Sequence, residues 1–448
     1  MNKNFSIVWG RRQIKHEQLS WYLSSAIKQL KGMGIKACDH VVICDENSVE
    51  SVILLLALWQ IKALAAFVNG HWPDKTIASY AAKINAKHVF RAADVKRAVC
   101  FDARQPIDPK SYLDLDLEQK VTIIATSGSS GESKAAVHTW GNHYHSALGS
   151  NAIIPLTDSD RWLLSLPLYH VSGIAVVSRC LLSGAAMVIP TGEDLAASID
   201  SSRVTHVSLV STQLHRLLAD EKNYALLRSL KCILLGGSAI PRTIIDQSSK
   251  LGLNVYLSYG LTEMSSQVAT GRVTQKDSAC VKVLPYRQLC ISPEGEILVK
   301  GEVLFKGYVA GDKIYLPLKH EGWFATGDKG RLDSQGCLTV MGRCDNMFIS
   351  GGENIQPEEI ERVLLGIPGI AQAVVVPKED REFGARPIAF IKCEGKDLSQ
   401  EHLRQCLEKE LPRFKIPTAF YPWPQDLISR GIKFSRREFL KDLPQRSF

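Results

Sequence analysis

The densest set of groups able to do chemistry lies in Val121–Lys134, V-T-I-I-A-T-S-G-S-S-G-E-S-K. The β-branched run Val121–Ile124 reads as a buried strand. It gives way to Thr126, Ser127, Gly128, Ser129, Ser130 and Gly131, and then to Lys134. Gly128 and Gly131 tolerate positive φ and let the backbone approach a ligand closely. Successive backbone N–H groups in such a turn form a concave anion site. The hydroxyls add donors and Lys134 adds charge, a combination suited to a polyphosphate. Three other readings compete. A plain flexible Ser/Gly loop would not need the strand and the basic residue that flank it. A P-loop requires Gly-x-x-x-x-Gly-Lys-Ser/Thr, whereas the spacing is Gly128-x-x-Gly131-x-x-Lys134 followed by alanine. A Ser–Lys amidase needs a second lysine upstream in an apolar setting, and the run before Val121 offers no convincing one.

Further candidate groups recur along the chain. Pro167-Leu168-Tyr169-His170-Val171-Ser172-Gly173 sets an aromatic and a histidine after a proline-fixed turn. Taken alone, Tyr169 and His170 read as well as core caps. In Leu209–Leu218, Ser211 or Thr212 is suited to cap a helix whose apolar stripe is Leu214, Leu217 and Leu218. Arg216 lies off that stripe, where an arginine is usually solvated. Gly236-Gly237-Ser238 ends an apolar run, Cys232–Leu235, and strand ends of this kind are where α/β proteins bind ligands. Tyr259-Gly260-Leu261-Thr262-Glu263, Thr326-Gly327-Asp328, Gly342-Arg343-x-Asp345 and Gly351-Gly352-Glu353-Asn354 follow in order.

The elements that must position these groups alternate between strand and helix. Asp39–Cys44, His88–Phe90, Trp162–Ser165, Ala185–Ile189, Val204–Val210 and Asn254–Tyr259 read as strands. Leu19–Leu30, Val49–Lys62, His143–Gly149 and Ile174–Leu182 read as helices. The alternation predicts βαβ units and mainly parallel sheets. Gly295–Lys300, Glu302–Phe305 and Cys337–Met341 read as short strands with Gly-rich turns, a β-type subdomain. Beyond Arg343–Asp345, Pro357–Leu365 and Leu398–Glu410 read as helices and Ala371–Pro377 and Pro387–Lys392 as strands, a small α+β domain. The expected fold is therefore α/β: a large N-terminal domain, 1–342, of parallel-sheet subdomains plus the β-type subdomain, and a small mobile C-terminal domain, 343–448.

Composition bounds the function. The chain has 448 residues, enough for more than one domain, with 45% hydrophobic and 22% charged residues. A net charge of +8, without a Lys/Arg block, does not argue for nucleic acid. The 11 cysteines are scattered singly, which predicts reduced thiols in a cytoplasm and no zinc site. The apolar run Val52–Val68 is broken by Gln60 and Lys62 and reads as a buried helix, so no stable membrane insertion is expected.

These motifs agree in type, order and spacing with one family. The chain resembles the adenylate-forming superfamily of acyl-CoA synthetases, luciferases and peptide-synthetase adenylation domains, over nearly its whole length. It is most similar to the branch that joins an aromatic dicarboxylic acid to coenzyme A. The features that carry this are Pro167–Gly173, Gly-Gly-Glu-Asn-Ile-Gln-Pro-Glu-Glu-Ile-Glu at 351–361 and Gly431-Ile432-Lys433. It departs from the family in three places. Ser133 stands where proline usually precedes the lysine, Asn346 replaces a second acid after Asp345, and Ile432 interrupts the usual Gly-Lys ending.

The resemblance implies ATP, Mg²⁺ and coenzyme A, with a small-molecule carboxylic acid as substrate. Loop 126–131 and Lys134 would hold the β- and γ-phosphates, Glu263 the Mg²⁺ and Thr262 the α-phosphate. Tyr259 would stack on adenine beside Gly236, Gly237 and Ser238, Asp328 would accept from the ribose hydroxyls and Arg343 would add a ribose contact. Lys433 would reach the α-phosphate, with Lys415 as the alternative. His170, Ser211, Gln213 and Arg216 would face the acid, Arg216 reading its second carboxylate. Asp345 would be the hinge. A homo-oligomer is compatible with all of this, and so are a different acyl- or aryl-CoA ligase, a carrier-protein adenylation enzyme or a nucleotide-binding protein without catalysis.

Overall fold

Helix Val49–Gln60 is apolar on every side, and every residue from Ser51 to Trp59 is buried. A helix of that kind must be covered all round, and two sheets do so. The computed structural model describes residues 2–99, 115–126, 133–192, 194–237, 240–274, 280–311, 313–393, 398–424 and 436–441. The first sheet has seven strands, in the order Lys313–Tyr315, Gly307–Ala310, Lys134–Thr139, Lys120–Thr126, Leu64–Val68, His40–Cys44, His88–Arg91. The second has nine, in the order Lys282–Val283, Ser266–Arg272, Val255–Leu261, Cys232–Leu235, His206–Leu209, Arg161–Leu163, Ala186–Ile189, Ser6–Trp9, Arg12–Ile14. Residues of both sheets, such as Val41 and Phe67 on one side and Ile7 and Met187 on the other, share one core with this helix.

The parallel pairings expected from strand–helix alternation occupy the sheet centres, from Val255–Leu261 to Ser6–Trp9 in the second sheet. Antiparallel strands finish both edges of the second sheet and one edge of the first, whose other edge, His88–Arg91, pairs parallel with His40–Cys44. The β-type subdomain is a four-stranded antiparallel sheet of Arg287–Ile291, Glu296–Gly301, Phe324–Leu332 and Leu338–Arg343. In the C-terminal part, Ile370–Asp380, Gly384–Cys393 and Phe420–Pro422 form a sheet covered by helices Pro357–Leu364 and Gln400–Glu408. This part has its own core, from Ile355 to Phe420.

Five expectations change. The apolar run Val52–Val68 is not one helix: the helix ends at Gln60, and Leu64–Val68 is a strand paired parallel with His40–Cys44 and Lys120–Thr126. Lys134 does not simply end a loop: it opens strand Lys134–Thr139, which pairs antiparallel with Lys120–Thr126 in the register Thr126↔Lys134. Glu302–Phe305 is not a strand. The Asn142 side chain donates to the carbonyls of Glu302 and Leu304, taking the bonds a ladder would use. Helix Ser211–Leu218 is capped by neither Ser211 nor Thr212; the Gln213 amide oxygen accepts from the Val210 N–H. Finally, Cys280 and Cys337 form a disulfide, 57 residues apart, and beside it the Leu338 N–H donates to the Val281 carbonyl at 2.8 Å. The other described cysteines are free thiols. No described helix is long and apolar enough to cross a membrane.

Candidate active site

The carboxyl ends of neighbouring parallel strands meet along one edge of the nine-stranded sheet, the usual ligand crevice of such sheets. Strand His206–Leu209 runs into helix Ser211–Leu218, strand Cys232–Leu235 into Gly236-Gly237, and strand Val255–Leu261 carries Tyr259. Gly236 is a close-approach position, since a Cβ there would lie 3.1 Å from the Ser258 carbonyl oxygen. Gly237 has φ +85°, which favours glycine.

Beside this edge, the Tyr259 hydroxyl donates to Asp328 Oδ2 at 2.7 Å. Arg343 Nη1 donates to Asp328 Oδ1 at 3.2 Å and to the Thr326 carbonyl at 2.8 Å. The same guanidinium reaches Asp345, Nε to Oδ1, at 3.0 Å. Burial raises the Asp328 pKa, and the Tyr259 hydroxyl and Arg343 only partly oppose it. Each Asp328 oxygen has one partner and so keeps a lone pair for a further donor. Burial, with the neighbouring Asp328 charge second, pushes the Tyr259 phenol far up, so it stays a donor.

A second cluster adjoins the first through the turn after Leu261. The Tyr308 hydroxyl donates to Glu263 Oε1 at 2.6 Å, and the Lys134 ammonium lies 5.0 Å from the centroid of the Tyr308 ring. The Thr262 carbonyl accepts from Ser265 N–H at 3.0 Å and from His138 Nε2 at 2.7 Å. His138 is fully buried, which pushes its pKa down to about 4 and leaves the ring neutral.

The structure thus brings Thr126, Lys134, Thr262, Glu263, Tyr259, Asp328, Arg343 and Asp345 into connected clusters. Ser127, Gly128, Ser129, Ser130, Gly131, Ser238 and Lys433 lie outside the described residues. His170 precedes helix Val171–Ser183, its ring 4.6 Å from that of Tyr169. Asn47 fixes this segment by accepting from Leu168 N–H at 2.9 Å and donating to the Leu164 and Leu166 carbonyls. Gly173 packs against the Pro167 carbonyl, closer than a Cβ would allow. Ser211 is buried, the Gln213 amide oxygen serves the helix start, and Arg216 is exposed. Lys415, the alternative lysine, is paired with Glu359 at 2.6 Å.

Sequence reasoning missed Tyr308, His138, Asn47 and Gln356, whose amide donates to the Arg343 carbonyl at 2.8 Å. Their partners lie tens of residues away or more, except for Gln356, which lies within the 351–361 motif but was given no role there. Among the described residues no group of three or more His, Cys, Asp or Glu forms a metal cage. Glu263 nevertheless fits Mg²⁺, which is commonly held by one or two carboxylates plus substrate phosphates.

The Tyr259–Asp328–Arg343 cluster beside the strand ends, with Glu263 in the adjoining turn, is an arrangement suited to a nucleotide. The AMP-binding enzyme model matches residues 3–309 and the AMP-binding enzyme C-terminal domain model matches 359–427, and the chain belongs to this family. It is 37% identical over 432 residues, 95% of this chain and 93% of the relative, to a 2-succinylbenzoate–CoA ligase of Salmonella typhimurium. Among solved structures, an arginine-to-lysine variant of Escherichia coli MenE with bound OSB-AMS has a TM-score of 0.85 at 31% identity, covering 97% of this chain and 94% of that one. Bacillus subtilis o-succinylbenzoate coenzyme A synthetase (MenE), in complex with ATP and magnesium ion, has a TM-score of 0.81 at 28% identity, covering 93% and 92%.

Proposed function

We propose that this chain is an ATP-dependent acid–CoA ligase that converts o-succinylbenzoate to its coenzyme A thioester, a step of menaquinone synthesis in the cytoplasm. The observation that carries the reading is the Tyr259–Asp328–Arg343 cluster set against the Thr262–Glu263 turn, in a chain with full-length similarity to such ligases.

A carboxylate does not acylate a thiol directly, so it is first activated. Its oxygen attacks the α-phosphorus of ATP, pyrophosphate leaves, and an acyl-adenylate remains. The coenzyme A thiol then attacks the acyl carbon and AMP leaves. Both reactants of the first step are anions, so the protein acts by positioning and charge neutralisation. In this reading Asp328 accepts from the ribose hydroxyls with Arg343 beside it, and Tyr259, Gly236, Gly237 and Ser238 line the adenine pocket. Loop 126–131 and Lys134 hold the β- and γ-phosphates. Thr262 donates to the α-phosphate, Glu263 holds Mg²⁺ with phosphate oxygens, and Lys433 meets the charge developing at the α-phosphate. Bound Mg²⁺ supplies neutralisation of the polyphosphate.

His170, Ser211, Gln213 and Arg216 face the acid, with Arg216 offering charge to the ring carboxylate. Residues 1–342 form the nucleotide- and acid-binding domain and 343–448 a mobile domain that turns about Asp345 between the two half-reactions. The test is pyrophosphate release across a panel of carboxylic acids, followed by thioester formation. Strong turnover of o-succinylbenzoate supports the assignment. Preference for another acid leaves an acid–CoA ligase of different substrate, and no pyrophosphate with any acid overturns adenylation.

A further inference from the structure

We propose that His138 is a positioning residue for adenylation, holding the Thr262–Glu263 turn in register with the strand that carries Lys134. This rests on the ligase reading above and extends it to a residue off every motif in the sequence.

His138 lies on strand Lys134–Thr139 and is fully buried. Residues two apart share a face of a strand, so Lys134, Ala136 and His138 point the same way. Tyr308 pairs with Ala136 across the sheet, and its ring lies under the Lys134 ammonium. At the far end of this face, His138 Nε2 is 2.7 Å from the Thr262 carbonyl oxygen. A carbonyl only accepts, so the proton is on Nε2. Two paired strands of one sheet thus contact the turn: His138 of Lys134–Thr139 at the Thr262 backbone, and Tyr308 of the neighbouring Gly307–Ala310 at the Glu263 carboxylate.

The turn needs such support. Ser265 and Ser266 hold φ of +53° and +111°, conformations that non-glycine residues rarely adopt. Phe305 N–H donates to the Glu263 carbonyl at 2.8 Å, and the Phe305 ring lies 6.3 Å from that of His138. On its other side His138 stacks on buried His143, centroids 5.1 Å apart, and His143 Nε2 is 2.8 Å from Thr122 Oγ1. Thr122 is on strand Lys120–Thr126, which leads into the hydroxyl–glycine loop. The series Thr122, His143, His138, Thr262 therefore joins both flanking strands of that loop to the turn that presents Thr262 and Glu263. Because Ser265 also donates to the Thr262 carbonyl, losing the histidine donor displaces the turn without leaving that carbonyl bare.

The test compares His138→Gln with His138→Asn. The Gln amide nitrogen reaches the place of Nε2, and the Asn amide stops at the place of Nδ1. Both are polar and similarly buried, so a folding defect shared by the two cancels in the comparison. Adenylation is read as pyrophosphate release with whichever acid the wild type uses best, and the second half-reaction as thioester formation from a preformed acyl-adenylate. Expected is a roughly ten- to hundredfold fall in adenylation kcat for Asn, with a raised Mg²⁺ requirement. Gln should stay within about threefold of wild type, and thioester formation should stay nearly unchanged in both. Equal rates for Gln and Asn, or equal loss of both half-reactions, would overturn the positioning role. Absence of adenylation in the wild type would instead overturn the ligase reading itself.

Discussion

The ammonium of Lys415 sits 2.6 Å from the carboxylate of Glu359, on the first turn of helix Pro357–Leu364. Lys415 is mostly buried, with 16% of its side chain exposed, and that pairing holds it on the C-terminal sheet–helix unit. In the ligase reading, Lys433 rather than Lys415 would reach the α-phosphate. Lys433→Ala is expected to abolish adenylate formation while thioester formation from a preformed adenylate stays largely intact. Lys415→Met should lower stability more than it lowers adenylation. Pyrophosphate release and single-turnover thioester assays on both variants check this, and the reverse pattern would transfer the role to Lys415.

How much of this was readable in advance varies by element. Helix Val49–Gln60 and the strands His40–Cys44 and Cys232–Leu235 announce themselves through dense apolar and β-branched residues, which burial on both faces requires. Strand Lys134–Thr139 did not, because Lys-Ala-Ala-Val-His-Thr has little β-branched character. Its strand conformation comes from pairing with neighbours on both sides. The residues of the site that sit in ordered motifs were legible. Tyr308 and His138 were not, because each meets its partner across a long sequence separation, 45 residues for Tyr308–Glu263 and 124 for His138–Thr262. The Cys280–Cys337 pair was hidden for the same reason.

The segment Gly342–Asn346 is expected to be where the C-terminal domain turns. Arg343 bonds Asp328 and Thr326 on one side and Asp345 on the other, while Gln356 reaches back to the Arg343 carbonyl. Rotation about Asp345 would exchange some of these bonds. Asp345→Pro fixes φ and removes an N–H, so it should hold one pose. Adenylation should survive better than thioester formation. The two half-reactions measured separately, with the fold monitored by circular dichroism, check this; equal loss of both would remove the hinge assignment.

Stability at low pH should depend on Asp160. Its side chain is 2% exposed and accepts from Lys231 at 2.6 Å and from the Thr157 N–H and hydroxyl at 2.9 Å. Burial alone would raise its pKa, but these partners hold it below the ordinary carboxylate value of 3.8. A folded pKa below the unfolded one means the stabilisation is complete above about pH 4 and is lost as pH falls through the folded value. Lys231 is 57% exposed, so the ion pair itself counts for little, and the Thr157 bonds carry most of the effect. Asp160→Asn should cost about 1–3 kcal/mol at pH 7. Urea unfolding at pH 7 and at progressively lower pH should find the gap between wild type and variant shrinking with acid. A gap independent of pH would contradict the argument.

Arg216 tests the acid itself. It stands on helix Ser211–Leu218, whose buried stripe is Leu214, Leu217 and Leu218, and its own side chain faces solvent. Arg216 lies in the last turn of this helix, so in the ligase reading its long side chain would reach back toward the crevice edge, where the helix starts, and offer positive charge to a bound anion from the wet side. A solvent-screened, charge-assisted contact of this kind is worth roughly 1–2 kcal/mol, about five- to thirtyfold in kcat/KM. The loss should be selective. With Arg216→Ala, o-succinylbenzoate should lose that factor, whereas 4-oxo-4-phenylbutanoate, which lacks the ring carboxylate, should already be poor with the wild type and fall little further. The KM for ATP should hardly move, because Asp328, Arg343 and Tyr259 lie on other elements. Both proteins are assayed with both acids. Equal fractional losses would mean that Arg216 supports the helix or the fold and does not read the carboxylate. An unchanged rate with o-succinylbenzoate would return Arg216 to the role of a solvated surface charge and direct the search for the anion's partner to the buried side of the crevice, around Ser211 and His170.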